Sequence, residues 1–83
     1  MFTILWKPLA VDRLAEIWLR NPALRDRLTE LVEQIDSTLG RNPLEQGESR
    51  SGATRVLIVD FLVLFFDVIR ADSRVEILTV AEW

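Results

Sequence analysis

The sequence predicts an α+β domain of order β-α-α-β-β-β, a helical hairpin packed on a mostly antiparallel four-stranded sheet. Three observations predict it. Leu24, Leu28, Leu31, Val32, Ile35 and Leu39 are spaced by 4, 3, 1, 3 and 4, the period of a buried helical stripe. From Thr54 onward the chain turns to β-branched and aromatic residues, interrupted at Asp60-Phe61 and at Arg70-Ala71-Asp72-Ser73. A short apolar run from Phe2 to Trp6, closed by Lys7-Pro8, places one more strand ahead of the helices.

Pro8 suits the first turn of a helix, because its missing N–H has no intrahelical partner there. Leu9 to Arg20 follows, with Ala10, Leu14, Ile17 and Trp18 spaced for one face and Asp12, Arg13, Glu16 and Arg20 mostly on the other. Glu16 and Arg20 are a favourable pair four apart. Asn21-Pro22 reads as an N-cap and first helical residue, so the second helix is expected to start here. Gly40 sits just past its last periodic residue, where a C-terminal cap is expected. Arg41 to Ala53 reads as a loop, rich in turn residues and long for so small a domain, which marks it as a candidate functional segment.

Thr54 to Val59, Leu62 to Ile69 and Arg74 to Val80 are the remaining strands. In Leu62–Ile69 both alternating faces are largely apolar, so this strand is expected to be central and covered on both sides. The helical hairpin can cover one side. The other calls for a partner, a second copy of the chain, or the segment near Trp83. The first strand is expected to lie beside Thr54–Val59, where the helical excursion returns to the sheet.

Composition bounds the chemistry. The chain has 83 residues, and the whole of 1–83 reads as one domain. Cysteine, histidine and tyrosine are absent. Disulfides, thiolate metal sites and the usual neutral-pH general base go with them, and no cofactor or metal is expected. With 10 Lys+Arg against 13 Asp+Glu the net charge is −3, unlike the basic stripe of a general nucleic-acid binder. At 49% apolar and 28% charged residues the chain is globular rather than disordered. Val56–Ile69 is too short to span a bilayer as a helix and carries Asp60 and Asp67, so no membrane association is expected. No export signal is visible in Met1–Pro8, which points to a cytoplasmic protein.

That element order, with these residues, resembles the RelE/ParE superfamily of small bacterial toxins. The residues that carry the resemblance are Trp6-Lys7-Pro8, Leu14-Ala15-Glu16-Ile17-Trp18, Ile35-Asp36 with Leu39, Asn42-Pro43-Leu44, Gly47-Glu48-Ser49-Arg50, Arg55, and Val75-Glu76-Ile77-Leu78-Thr79-Val80. The chain looks like a subgroup known as plasmid-stabilisation proteins, which have the Gly-Glu-Ser-Arg loop. The resemblance implies one of two activities. RelE-like members cleave messenger RNA in the ribosomal A site with lysines, arginines and often a tyrosine or histidine. ParE-like members bind DNA gyrase and carry out no chemistry. Both are neutralised by an antitoxin whose chain wraps the toxin.

The sequence departs from the nuclease pattern. It has one lysine, Lys7, and it stops at Trp83 where the nucleases continue into a basic tail. The expectation is therefore a toxin-like component of a type II toxin–antitoxin module. It would act by binding a macromolecular target, DNA gyrase or the ribosome, rather than by catalysis, and a cognate antitoxin would neutralise it. One alternative is a ribosome-dependent endoribonuclease built on Arg50 and Arg55, whose guanidinium groups suit phosphates, with Glu48 as a base. Another is a degenerate, non-toxic interaction module that pairs with itself as a homodimer.

Each candidate also has a structural reading. Glu48 with Arg50 or Arg55 can be an ion pair pinning a loop. Arg70 and Arg74 can be solvated turn charges, as can Arg25 and Arg27 beside Asp26 and Glu30. Asp67, a carboxylate in an apolar strand, is either an anchor for a partner or the cross-strand mate of Arg55 or Arg74. Trp6 and Trp18 read as core residues, and Trp83 as a candidate interface anchor.

Overall fold

The computed structural model describes residues 1–46, 48–49 and 54–83, with the backbone alone for Glu45, Glu48 and Ser49. Its elements are β1 (Thr3–Trp6), α1 (Pro8–Arg20), α2 (Arg25–Arg41), β2 (Glu48–Ser49), β3 (Thr54–Val59), β4 (Leu62–Ile69) and β5 (Arg74–Glu82). The four predicted strands are present, and the two-residue β2 adds an edge, giving the order β1-β5-β4-β3-β2.

β3, β4 and β5 form an antiparallel meander. The β3–β4 turn is tight: Val59 pairs with Leu62 and Asp60 takes the left-handed conformation at φ 56. A three-residue helical turn at Arg70–Asp72 joins β4 to β5, and Ser73 takes φ 48 there. β4 lies in the middle of the sheet, as its two apolar faces predict.

β1 departs from expectation. It lies beside β5, not β3, and runs parallel to it, with Ile4 opposite Val75 and Trp6 opposite Ile77. After the helices the chain re-enters the sheet on the far side, and the meander walks back until β5 meets β1. This register puts Ile4 and Trp6 on the face that already carries Val75 and Ile77, so the pairing completes one apolar surface.

That surface is the core side. Leu62, Leu64, Phe66, Val75, Ile77 and Val80 are buried against Ala10 and Ile17 of α1 and Leu28, Leu31, Ile35 and Leu39 of α2. Burying each large side chain contributes about 1.5–3 kcal/mol. Ile77 and Val80 are three apart, yet both point inward. The register explains it: Phe66 faces Ile77 and Phe65 faces Thr79, which leaves Leu78 as the extra residue of a bulge.

The helix ends differ from the sequence reading. Asn21 makes no N-terminal cap; its side-chain amide donates to the Ile17 carbonyl at 2.8 Å, closing α1 instead. A short helical turn, Pro22–Leu24, then leads into α2. α2 continues through Gly40 to Arg41, and the Gly40 carbonyl accepts the Phe2 N–H at 2.8 Å, tying α2 to β1. Glu16 pairs with Arg13 rather than Arg20, whose guanidinium reaches Glu82 at 2.6 Å.

Candidate functional site

The two helices do not close over each other. Between them lies an open groove of about 430 Å³, lined by Val11, Leu14, Ala15 and Trp18 of α1 and by Leu28, Thr29, Val32 and Glu33 of α2. It exists because the apolar arc of α1 is wider than one core face. Ala10 and Ile17 point at the sheet, while Val11, Ala15 and Trp18 lie a quarter-turn or so away and remain exposed. Trp18 is thus a correction to the sequence reading. It is 37% exposed and forms a wall of the groove rather than part of the core.

Fixed contacts hold the walls. At one end the Arg25 guanidinium stacks 5.4 Å from the Trp18 ring centroid, and its Nε donates to the Trp18 carbonyl at 3.0 Å. Toward the other end, Trp6 Nε1 donates to Asp36 Oδ1 at 2.8 Å, linking α2 to the β1–α1 junction. The outer side of α2 is anchored as well. Arg27 donates to Asp60 through Nε at 3.0 Å and Nη2 at 2.7 Å, and through Nη1 to Glu30 at 3.0 Å. The hydrogen bonds to Asp60 and then to Glu30 raise the Arg27 pKa above its ordinary value.

The sequence-derived candidates fall elsewhere, and the fold separates them. Arg55 stands with Leu57 and Val59 on the helix side of the sheet, and its Nη1 reaches the Gln46 carbonyl at 3.5 Å. Asp67 faces the opposite side. It has neither of the arginine mates proposed for it among the described residues; it accepts the Thr54 hydroxyl at 2.7 Å, directly across the strand pair. Arg74, on that same side, pairs with Glu76 at 3.0 Å and Asp72 at 3.5 Å. Arg70 is exposed in the adjoining turn. Trp83 is 80% exposed at the other end of β4 and β5, where its N–H donates to the Phe61 carbonyl at 2.6 Å. That puts it roughly 20 Å along the strands from Asp67 and roughly 30 Å from Arg74. Gly47, Arg50 and the side chain of Glu48 lie outside the described residues, and so do the ion pairs expected of them. The stretch expected as a loop from Arg41 to Ala53 instead begins inside α2, and the Glu48–Ser49 backbone within it pairs with Arg55 and Val56 as β2.

The sheet face away from the helices is only partly covered. Val63, Phe65, Asp67 and Ile69 are half-buried on it, and Leu5 and Ile58 are exposed. The Trp83 side chain, with its high exposure, does not cover this face. Among the described residues no three acidic side chains converge as metal ligands would, and no helix is long and apolar enough to cross a membrane.

Sequence reasoning placed its partner-binding candidates on the sheet and missed the groove. The signal was there in Val11 and Ala15, small apolar residues just off the core stripe Ala10, Leu14 and Ile17.

Comparison with protein-family models gives no match, and no curated protein sequence matches. Solved structures do. A chain of the RelBE2 toxin–antitoxin complex from Mycobacterium tuberculosis superposes with a TM-score of 0.77 at 21% identity, over 99% of this chain and 91% of that one. A chain of the chromosomal ParDE system from P. aeruginosa gives 0.69 at 18% identity, over 99% and 96%. One from the intact E. coli RelBE toxin–antitoxin complex gives 0.71 at 13% identity, over 100% and 98%. At these identities the likeness establishes the fold, which is that of the RelE/ParE toxins.

Proposed function

We propose that this chain is the toxin-like component of a type II toxin–antitoxin module, acting by binding a macromolecular target and neutralised by an antitoxin that covers the groove between α1 and α2. The observation that carries the reading is the end-to-end likeness to chains of toxin–antitoxin complexes, 0.77 in TM-score over 99% of the chain. The groove adds a physical reason. Val11 and Trp18 stay exposed beside a ready-made apolar trough, and a surface of that kind marks a place where another chain packs.

Binding rather than cutting is favoured by the residue inventory. A ribonuclease needs a proton acceptor and donor beside the scissile phosphate. The chain holds no histidine or tyrosine, and Arg55 already directs its guanidinium at a backbone carbonyl. DNA gyrase and the ribosome remain the two targets of choice.

The test is expression of the chain alone and together with the neighbouring reading frame. The reading expects growth arrest alone, rescue and a stable complex with the neighbour's product, and uncut messenger RNA during arrest. Inhibited supercoiling would identify gyrase, and stalled translation the ribosome. Messenger RNA that is cleaved, and spared when Arg50 and Arg55 are both changed to Ala, would move the assignment to an endoribonuclease. Harmless expression of a stable homodimer, with no complex formed, would reduce it to an interaction module.

A further inference from the structure

We propose that the α1–α2 groove receives an amphipathic helix flanked by lysines or arginines, so that the segment which neutralises this chain is locally basic. The proposal rests on the preceding reading that the groove is the partner's seat and adds the chemistry of the occupant.

The occupant is helical because of what the walls offer. Both walls are α-helices, whose backbone groups are paired internally except at their ends. An extended segment laid between them would bury its own N–H and C=O groups with nothing to meet them. A helix brings those bonds with it and presents side chains at i, i+3, i+4 and i+7. From Val11 to Trp18 the trough runs for about 10 Å, room for roughly two turns.

The charge follows from which carboxylates lack a counter-ion. Glu16, Glu30, Asp60, Asp72, Glu76 and Glu82 each sit in an ion pair with an arginine. Asp12, Asp26, Glu33, Asp36 and Asp67 sit in none among the described residues. Four of those five border the helix pair. Asp26, Glu33 and Asp36 fall with Thr29 at i, i+3, i+7 and i+10, a stripe along the groove-side rim of α2 on which Thr29 and Glu33 themselves line the trough. Asp12 stands next to Val11 and three residues before Ala15 on the α1 wall. Of the cations by the helix pair, Arg25 is held against Trp18 at one end, Lys7 stands at the start of α1, and Arg13, Arg20 and Arg27 are each in an ion pair. An apolar floor with Asp26, Glu33 and Asp36 along one bank and Asp12 on the other attracts a helix with cationic flanks and repels an anionic one, whether an acidic peptide or an anionic lipid surface.

The experiment titrates the full chain with two labelled amphipathic peptides that share the same leucine positions, one with lysine flanks and one with glutamate flanks. The lysine peptide is expected to bind on the order of tenfold tighter at about 50 mM salt, with the gap narrowing as salt rises. The double charge reversal Asp12→Lys with Glu33→Lys changes two exposed positions and is expected to invert the preference. Equal affinities, preference for the glutamate peptide, or binding of the chain to anionic vesicles would overturn the proposal. The neighbouring reading frame's product separates the two readings. If it binds wild type and double variant equally, the basic-helix inference fails and the toxin–antitoxin reading stands. If it does not bind at all while the lysine peptide does, the opposite holds.

Discussion

The guanidinium of Arg25 lies 5.4 Å from the centroid of the Trp18 ring and donates its Nε hydrogen to the Trp18 backbone carbonyl at 3.0 Å. One side chain therefore closes the end of α1, which has lost its intrahelical donors, and fixes the ring that forms a wall of the groove. Arg25→Ala is expected to lower stability by about 0.5–1 kcal/mol, the range for an exposed cation–π contact. Arg25→Lys should recover part of this, because an ammonium can sit over the ring but cannot supply the planar fork. Chemical denaturation of the three proteins gives the comparison, and equal stabilities would show that the stack contributes nothing.

Trp18→Ala addresses the wall itself. The ring is more than a third exposed, so its removal should cost the free chain less than the roughly 3–5 kcal/mol of a core aromatic truncation. Partner affinity should fall much further, by about tenfold or more, since buried aromatic anchors dominate interfaces. Calorimetric titration with the neighbouring reading frame's product, alongside thermal melting of the free chain, separates the two effects. A large loss of melting temperature with unchanged affinity would place Trp18 in the core after all.

Much of this fold was legible because periodicity and punctuation agreed. The stripe Leu24–Leu39 gave α2, and the breaks at Asp60-Phe61 and Arg70–Ser73 gave the meander. What periodicity does not carry is the partner of an edge strand. Four residues of β1 could pair with either edge, and the choice was made by matching Ile4 and Trp6 to Val75 and Ile77 some seventy residues on. The groove escaped for a related reason. Trp18 lies on the apolar arc of α1, but whether that part of the arc meets the core or solvent depends on how far apart α1 and α2 pack. Asp67 was identified as needing a partner; its partner proved to be the hydroxyl directly opposite, not a charge.

Asp60 joins the left-handed backbone of the β3–β4 turn to the two hydrogen bonds its Oδ2 accepts from Arg27. A substitution must satisfy both demands. Asn tolerates the left-handed region and keeps an acceptor; Gly keeps only the backbone; Ala keeps neither. Stability should fall in the order Asp60→Asn, Asp60→Gly, Asp60→Ala, with the last costing about 1–2 kcal/mol from backbone strain alone. Urea titration of the series reads this directly. If Gly and Ala are equal, the turn's conformation is not what limits it.

Thr54 and Asp67 meet across β3 and β4 at 2.7 Å. Thr54→Val keeps the shape and the β-branching but removes the donor, so the half-buried carboxylate loses a hydrogen bond made to its charged form. The expected loss is about 1.5–3 kcal/mol, the range for bonds to charged groups. Thr54→Ser, which restores the hydroxyl, should recover most of it. Equilibrium unfolding of both variants is the measurement, and equal stability of Val and Ser would make Asp67 a bystander.

The bulge in β5 makes the sharpest prediction about the sheet. Leu78 stands opposite no residue, while Phe66 faces Ile77, Phe65 faces Thr79 and Leu64 faces Val80. Removing Leu78 leaves each of those pairs in place and turns the strand into a regular alternation, with Val75, Ile77 and Val80 still inward. Its loss should therefore be tolerated, with a cost confined to that half-buried side chain and to the local twist the bulge supplies. Removing Phe65, in the middle of β4, has the opposite consequence. β3 pairs with β4 without a bulge, so on that side the alternation of period two turns Leu62 and Leu64 to the far face or breaks the pairing of Leu62 with Val59 and of Leu64 with Leu57 and Val80. Each leucine displaced forfeits about 1.5–3 kcal/mol of burial, enough together to unfold a domain of this size. Far-ultraviolet circular dichroism and thermal melting of the two deletion variants decide it. A folded Phe65 deletion, or an unfolded Leu78 deletion, would mean that the register of β4 against β5 is not what holds this sheet together.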